Sequence, residues 1–452
     1  MWEDCYEGKS QLNPASISKL CSSINHVFQN WLESLPEELI PDILIRLPIK
    51  FLIRFTSVSK SWSSTIKNPT FIRTHLTHTL NSNHQNSTHL ILIHNVSNEG
   101  TSKHNYGEVP LSGFKENSYS LHYDNTAVTE HCKIEFPIGL KKMMKNPCFR
   151  VAGTCNGLVL LADDVCRDAY NFVLWNPSIR KYVILPKPTV MSSTHGKHEA
   201  SVGLGYDLIN NDYKVVRVTF LMDIPGNGFR TLVQYYSLAT GSWGMLRVLP
   251  PCVVNATRGQ VLVNGALHWF AIRWADDHKM KFMVMGFDVG SESLREILLP
   301  ESLNLNALLE FKLGATGDRK SIGLFVRCDT ETDSYLDIWV MKEYFVQKSW
   351  TKLMILTPQG PERSLSKPIC FRRSGHEVVL QLEDDRGLVS LDIERCNFLL
   401  RGNNRWNICS MSFMSAFCCS EVDETARWIS AWISLSNIRL PEVTIYYCGI
   451  CV

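Results

Sequence analysis

The sequence lacks the motifs that mark common catalytic sites. It contains no Gly-x-Ser-x-Gly nucleophile elbow, no His-Glu-x-x-His zinc motif and no phosphate-binding loop. Its two acidic pairs, Asp163-Asp164 and Asp384-Asp385, lie in turn-like polar stretches, which does not favour a catalytic role. We therefore expect a protein that is not an enzyme and that uses no cofactor and no metal ion.

Long apolar runs are also missing. No stretch of about 18 apolar residues occurs, as a membrane-spanning helix would need, and the acidic residues 1–10 contain no apolar core of a secretion signal. The 15 cysteines are an odd number without a framework spacing, which predicts reduced thiols. Cys448 and Cys451 form a Cys-x-x-Cys, but no second ligand pair stands at the spacing of a zinc site. We expect a cytoplasmic or nuclear protein without membrane contact.

The chain has little net charge. Lys and Arg total 46 and Asp and Glu total 44, so the formal net charge is +2. Proteins that bind nucleic acid by neutralising phosphates carry a strong excess of positive charge, so we do not expect a nucleic-acid partner. With 452 residues, 45% of them hydrophobic, the chain is long enough for a small module and one large globular domain.

Residues 35–76 predict a compact module of three short helices. Pro48 should end the first helix, and the third should carry Val58, Trp62 and Ile66 on one apolar ridge, because they are spaced four residues apart. A segment this small cannot bury all of its large apolar side chains internally. Some of them should therefore face a partner or the next domain.

Three motifs in this segment resemble the F-box, in order and without gaps: Leu35-Pro36-Glu37-Glu38-Leu39, Ile43-Leu44-x-Arg46-Leu47-Pro48 and Val58-Ser59-Lys60-Ser61-Trp62. Ser59 stands where plant members of the family often have Cys. The resemblance implies docking on an SKP-like adaptor and, through it, on the cullin scaffold of an SCF ubiquitin ligase. It implies eight adaptor-binding positions, the last two partly core and partly interface: Leu35, Pro36, Leu39, Ile43, Leu47, Pro48, Val58 and Trp62.

Two polar stretches flank this module. We assign residues 1–34 to an N-terminal leader and residues 77–89, which are rich in Asn, Ser, Thr and His, to a linker. The histidines of this region, including His75 and His78, are expected to be solvated.

From residue 90 the pattern changes to that of β-strands. Asn156-Gly157 and Asn264-Gly265 predict tight hairpin turns, and long helical patterns are scarce. Short apolar runs bounded by Gly, Asn, Asp and Pro predict strands at 90–94, 158–161, 172–175, 182–185, 213–220, 233–238, 261–263, 267–272, 282–287, 322–326, 336–341, 378–382 and 389–393.

These runs recur in units of roughly 45–60 residues, the range of propeller blades. Each unit has a strand pair, a turn and a closing aromatic residue or proline, and the units visible are 158–186, 212–243, 264–300 and 322–350. We predict an α+β multidomain protein, in which the three-helix module precedes a mainly β, propeller-like domain over residues 90–400. An open β-sandwich is the alternative fold. Residues 401–452 form a divergent segment, which is a last blade, an extension or a poorly ordered end.

Several motifs of this β region resemble the plant F-box-associated interaction domain, which is often described alongside kelch-like repeats and occurs in S-locus F-box relatives. The motifs are Asn156-Gly157-Leu158, Leu174-Trp175-Asn176-Pro177, Gly203-Leu204-Gly205-Tyr206-Asp207 with Asp212-Tyr213-Lys214-Val215-Val216, and Asn264-Gly265-Ala266-Leu267-His268-Trp269. The resemblance implies a domain that captures a target protein.

Polar loops between the predicted strands are the candidates for target binding, since binding residues collect on loops of a rigid scaffold. They are 99–118, 187–200, 222–230, 273–280 and 328–334. Trp274 is the candidate target-binding residue, because it stands in a probable loop. The other tryptophans of the domain are predicted to be blade core: Trp175, Trp243, Trp269, Trp339 and Trp350.

Two alternatives to a ligase subunit stay open. The chain could be a plain binding protein that uses the same helices for a non-ligase partner, and co-purification of a cullin would separate the two. It could also be an enzyme built on a propeller, which would require His, Cys or Asp clustered at the centre.

Overall fold

The structure, a computed structural model, divides the chain into two compact units, Met1–Asn81 and Ser82–Val452. It describes residues 36–47, 49–82, 90–98, 114–125, 127–142, 149–164, 170–177, 180–196, 198–221, 230–246, 252–254, 260–274, 280–303, 309–329, 334–357, 367–381, 388–394, 397–399 and 415–419. Within these ranges, no helix combines the length and apolar character that a bilayer span requires.

The first unit is helical, as predicted. A 3-10 turn at Glu37–Leu39 leads into four helices: α1 (Ile40–Leu44), α2 (Ile49–Phe55), α3 (Lys60–Lys67) and α4 (Pro69–Ser82). Ser59 caps α3, because its hydroxyl accepts a hydrogen bond from the Trp62 amide at 3.1 Å. The last helix, α4, continues through the first residues of the predicted linker to Ser82.

The second unit is a six-bladed β-propeller, so the propeller prediction is confirmed and the sandwich alternative is wrong. Each blade is an antiparallel sheet. Blade 1 contains β1 (Leu90–Asn98), β2 (Phe114–Tyr123) and β3 (Glu130–Ile134). Blade 2 contains β4 (Arg150–Cys155), β5 (Leu158–Ala162), β6 (Phe172–Asn176) and β7 (Lys181–Ile184). Blade 3 contains β8 (His198–Asp207), β9 (Asp212–Leu221), β10 (Arg230–Ser237) and β11 (Ser242–Leu246).

The remaining blades repeat this plan. In blade 4, β12 (Val253–Val254) and β13 (Val261–Val263) both pair with β14 (Ala266–Trp274), followed by β15 (Met280–Asp288) and β16 (Ser293–Leu298). Blade 5 contains β17 (Leu309–Ala315), β18 (Ile322–Asp329), β19 (Ser334–Met341) and β20 (Trp350–Leu356). Blade 6 contains β21 (Lys367–Phe371), β22 (Glu377–Gln381), β23 (Leu388–Asp392) and β24 (Asn397–Leu399). Two short helices, α5 (Ile138–Lys141) and α6 (Ser192–His195), lie in connections between blades.

A strand from the C-terminal segment completes the ring. β25 (Ser415–Cys419) pairs with β1, with Leu90 opposite Cys419 and His94 opposite Ser415. It also lies next to β21 and β4, the innermost strands of the two neighbouring blades. The first blade is therefore built from both ends of the propeller sequence.

The innermost strands approach closely at the propeller centre because several of their residues are glycines. The side chain of Gln260, which is buried, lies against Gly153 of β4 and Gly203 of β8. A Cβ on Gly153 would lie 2.5 Å from the Gln260 side-chain nitrogen, and one on Gly203 would lie 2.8 Å from its Cγ. Gln260 Nε2 donates to the Ala152 carbonyl at 3.2 Å, so this side chain links three blades near the axis.

Apolar side chains fill the space between adjacent blades. The predicted core tryptophans belong to this filling: four of them are buried and Trp243 is half-buried against the core formed by blades 2 and 3. The acidic pair Asp163-Asp164 is also structural. Asp163 accepts from Asn171 Nδ2 at 2.9 Å, and Asp164 pairs with Arg150 at 2.7 Å. Asp384-Asp385, Cys448 and Cys451 lie outside the described residues.

Candidate functional site

The helical unit has a small core. Leu44, Leu52, Trp62 and Ile66 are buried from α1, α2 and α3, and α4 adds Phe71, Ile72 and His75. His75 was expected to be solvated, and that prediction is wrong. Its Nε2 lies 3.1 Å from the Leu47 carbonyl and its ring stacks on Phe71, because α4 runs back over the end of the first helix.

Other large apolar side chains of this unit are left in solvent. Leu39 is 49% exposed and Ile43 37% exposed, one helical turn apart, and Val58 is 37% exposed. Phe51 and Ile53, on α2, are 46% and 42% exposed. Isolated exposed apolar residues are ordinary, but five on one unit of four short helices are more than such a unit needs to expose, which makes them the candidates for contact with a partner. We call these five side chains the apolar docking residues.

The predicted adaptor-binding positions divide between surface and core. Leu39, Ile43, Val58 and Pro36 are exposed, and Leu47 is half-buried. Trp62 is 4% exposed and meets Phe55 edge to face at 5.2 Å between ring centroids. Trp62 therefore belongs to the core of the helical unit and not to its exposed surface. Leu35 and Pro48 lie outside the described residues.

Sequence reasoning missed Phe51 and Ile53. Both flank Leu52, which is buried on α2. The run Phe51-Leu52-Ile53 is apolar around the helix, so periodicity alone does not say which side faces solvent. The excess of apolar residues over what the unit can bury was the available signal.

The propeller has two unlike faces, and strand direction defines them. Since the strands of a blade alternate in direction, the turns after the first and third strands lie on one face. Most of these turns are short, as at 208–211 after β8 and 289–292 after β15, although the turn 342–349 after β19 is longer, and we call this the tight-turn face. The connections after the second strand and those between blades lie on the other face, which we call the long-loop face.

All five predicted target loops fall on the long-loop face. Four of them join the second and third strands of a blade, and 187–200 joins blade 2 to blade 3. Their central residues 99–113, 222–229, 275–279 and 330–333 lie outside the described residues. The grouping follows from topology, and target binding by these loops stays a prediction.

Trp274 is not a loop residue. It is the last residue of β14 and pairs with Met280, the first residue of β15. The strand prediction stopped at residue 272, and the two extra residues continue the ladder. Trp274 therefore lies at the long-loop end of blade 4, and its role in target binding stays a prediction.

Polar contacts join neighbouring blades on the tight-turn side. Lys214, near the start of β9, pairs with Glu292 at 2.6 Å and Asp207 at 3.0 Å and donates to the Val289 carbonyl at 3.1 Å. Burial disfavours the charged ammonium group, but the bonds to Glu292 and Asp207 outweigh it and raise the pKa of Lys214. This side chain therefore stays charged and holds blade 3 to blade 4.

The described part of the chain contains no group of three or more His, Cys, Asp or Glu side chains placed to hold a metal ion. Among its cysteines, Cys252 and Cys328 are free thiols. Burial raises the pKa of the Cys252 thiol to about 11, so this thiol is not a reactive nucleophile.

The chain thus combines a helical unit that carries the apolar docking residues with a propeller whose blades are joined by loops on one face. Comparison with known families gives the particular class. Residues 32–74 match the F-box domain, and residues 108–397 match the F-box associated beta propeller domain. The chain belongs to the family of F-box proteins that carry this propeller.

Similar proteins come from Arabidopsis thaliana. The chain is 28% identical to F-box protein CPR1 over 382 residues, which cover 80% of this chain and 82% of that protein. It is 26% identical to an F-box/kelch-repeat protein over 71% of this chain and 79% of the relative. A further F-box protein is 26% identical, with 75% and 77% covered.

Proposed function

We propose that this protein is the substrate-recognition subunit of an SCF-type ubiquitin ligase. In this proposal the F-box unit docks on an SKP-like adaptor, and through it on a cullin, while the long-loop face of the propeller binds the target protein. The observation that carries the proposal is the set of apolar docking residues. They are exposed in a unit whose core positions are already filled.

Burial of these side chains on a partner would supply the binding free energy. Full burial of a Leu, Ile or Phe side chain contributes about 1.5–3 kcal/mol, and binding interfaces depend on a few such anchors. Leu39 and Ile43 belong to the predicted adaptor-binding positions, and each has at least a third of its surface available.

The chain itself makes and breaks no bond in this proposal. Its contribution is proximity, since a target held beside a charged ubiquitin-conjugating enzyme presents its lysines at a high effective concentration. A cytoplasmic or nuclear location, where thiols stay reduced, is part of the proposal. The free thiols of Cys252 and Cys328 support it.

Capture of a cullin from cells tests the proposal. The tagged full chain should co-purify with an SKP-like adaptor and a cullin, whereas the double variant Leu39→Asp with Ile43→Asp should lose both. A charge in a buried contact is left without a partner. The matched control is Leu208→Asp with Ile209→Asp, because these propeller side chains are 81% and 80% exposed and should tolerate the change.

Two outcomes would each contradict one part of the proposal, the first the ligase role and the second the docking residues. Adaptor capture without any cullin would favour a binding protein that uses the F-box helices outside a ligase. Retention of adaptor and cullin by the Leu39→Asp, Ile43→Asp variant would show that these residues do not form the docking surface.

A further inference from the structure

One predicted target loop is described by the structure almost completely. The connection between β7 and β8 carries α6, and residues 192–196 are all exposed on the long-loop face. Val190 anchors the connection, since it is buried with Leu221 of β9 and Leu232 of β10. The segment is therefore an ordered projection whose polar surface is available to a partner.

The helical turn is tied down through its backbone. The amide of Ser192 donates to the Tyr170 hydroxyl at 2.7 Å. The amide of His195 donates to the Met191 carbonyl at 2.8 Å, and the amide of Gly196 donates to the Ser192 carbonyl at 3.1 Å. Amide exchange at these positions therefore reports on whether the turn is formed.

Arg217 of β9 lies beneath this turn and is 1% exposed. Its Nη1 donates to the Val190 carbonyl at 2.9 Å and to Gln234 Oε1 at 3.1 Å. Its Nη2 lies 2.9 Å from His198 Nε2. The guanidinium group also lies over the Tyr170 ring, 5.4 Å from its centroid. One buried side chain thus contacts the connection, the residue that follows it and the ring that holds Ser192.

The partners of His198 fix its protonation state. The Gly196 carbonyl, 2.9 Å from Nδ1, can only accept, so Nδ1 carries the proton. The guanidinium can only donate, so Nε2 must be an unprotonated acceptor. The imidazole is therefore neutral. A proton on Nε2 would remove the bond to Arg217 and place two cations side by side in a buried site.

We propose that Arg217 and His198 are positioning residues, which hold residues 190–196 as a preformed part of the target surface, and that acid releases this segment. The inference rests on the proposed role of the long-loop face. Facing the imidazole are Arg217 on β9 and the Tyr170 hydroxyl, 3.4 Å from Nε2. On the turn itself, His195 is also ionisable, and its Nδ1 lies 2.7 Å from the Thr194 hydroxyl. Gln234 on β10 is neutral, and Glu199, the next residue along β8, is exposed.

Hydrogen–deuterium exchange of the full chain tests this inference without a known target. Peptides covering residues 190–196 would be followed at about pH 7.5 and about pH 5, on either side of the ordinary histidine pKa, with correction for intrinsic exchange rates. We expect exchange at Ser192, His195 and Gly196 to rise roughly tenfold or more at the lower pH, while the β9 amides stay protected.

His198→Gln is the matched control. A glutamine side chain can donate to the Gly196 carbonyl and accept from Arg217, but it does not titrate. This variant should keep the protection seen at the higher pH and lose the pH response. In the Arg217→Met variant, the amides of residues 190–196 should exchange fast at both pH values. Tyr170→Phe removes only the hydroxyl that accepts from the Ser192 amide, and it takes the place of Arg217→Met if that variant does not fold.

An unchanged pH response in His198→Gln would overturn the inference, as would full protection of residues 190–196 in a folded Arg217→Met or Tyr170→Phe chain. Adaptor binding by the same variants should equal that of the unaltered chain. Failure of the unaltered chain to bind the adaptor would contradict only the proposed function, because the exchange experiment does not depend on adaptor binding.

Discussion

Arg372 and Asp124 pair with each other across the join between the last blade and the first. Arg372 Nε donates to Asp124 Oδ1 at 2.7 Å and Nη2 donates to the Asp124 carbonyl at 2.7 Å. The Arg373 amide donates to the second carboxylate oxygen at 3.1 Å. The two side chains are 8% and 7% exposed, so this contact closes the ring on the tight-turn side with little competition from water.

Replacing Arg372 by methionine should destabilise the propeller. The change leaves the buried Asp124 carboxylate without its guanidinium partner and also removes the pairing of Arg372 with Glu377. Breaking a buried ion pair from one side costs about 3–5 kcal/mol. Urea unfolding measures the free energy change. The matched control is Arg180→Met, because Arg180 and its partner Glu135 are 61% and 81% exposed, and an exposed pair contributes at most about 1 kcal/mol. Equal losses in the two variants would argue against a closing role for Arg372.

Removal of β25 should also weaken the ring. A chain lacking residues 415–452 leaves the β1 edge unpaired and uncovers Ile91 and Leu92, each 1% exposed. A chain lacking only residues 421–452 keeps the closing strand. The shorter chain should unfold at least about 5 °C lower in a thermal melt followed by circular dichroism. Identical melting temperatures for the two chains would mean that β25 does not close the propeller.

The free energy of unfolding of the propeller should decrease as the pH is lowered, because of His268. Burial lowers the pKa of His268 to about 4, whereas an unfolded histidine has a pKa of about 6.5. Between these values the unfolded chain binds a proton that the folded chain does not. Stability is therefore full above about pH 6.5 and declines toward pH 4, by about 3 kcal/mol in total.

Denaturant unfolding at several pH values measures this decline. Burial raises the pKa of Tyr344 to about 12, so its hydroxyl stays protonated, and it is hydrogen-bonded to His268 Nε2 at 2.8 Å. His268→Gln keeps a hydrogen-bond partner for that hydroxyl but does not titrate, and it should flatten the profile between pH 4 and 6.5. A profile as steep as that of the unaltered chain would show that His268 is not responsible.

Phe51 and Ile53 should contribute to adaptor binding although no motif points to them. Phe51→Asp with Ile53→Asp should weaken binding at least about 30-fold, because loss of two anchors costs more than 2 kcal/mol. Met245→Asp with Val346→Asp is matched in exposure, at 47% and 42% against 46% and 42%, and lies on the propeller. Calorimetric titration with a purified SKP-like adaptor should show a loss for the first pair only. Comparable affinities in both would remove α2 from the docking surface.

The sequence predicted the middle strands of the blades far better than their inner and outer strands. Middle strands such as β9 and β18 are buried on both faces and therefore read as continuous apolar runs. The inner strands β4 and β8 contain glycines that allow close approach at the axis, and this interrupts the apolar pattern. Outer strands such as β16 contain charged residues, here Arg295 and Glu296, between their apolar residues. Four repeat units were visible for this reason, where the fold has six.

The candidate sites also differ in how far the sequence could predict them. Leu39 and Ile43 could be assigned from a local motif, and the structure places both at the surface. Contacts between distant residues could not be assigned, because Arg372 and Asp124 are separated by 248 positions and no local pattern links them. The network of Arg217 and His198 was missed for the same reason, since it depends on the pairing of adjacent strands.

The most direct test of the account is the binding of the purified full-length chain to a purified SKP-like adaptor, followed by size-exclusion chromatography with light scattering. The account predicts a stable one-to-one complex, which the Leu39→Asp, Ile43→Asp variant fails to form while its propeller remains folded. A full-length chain that elutes separately from the adaptor, with its F-box helices intact by circular dichroism, would contradict the assignment of this protein as a ligase subunit.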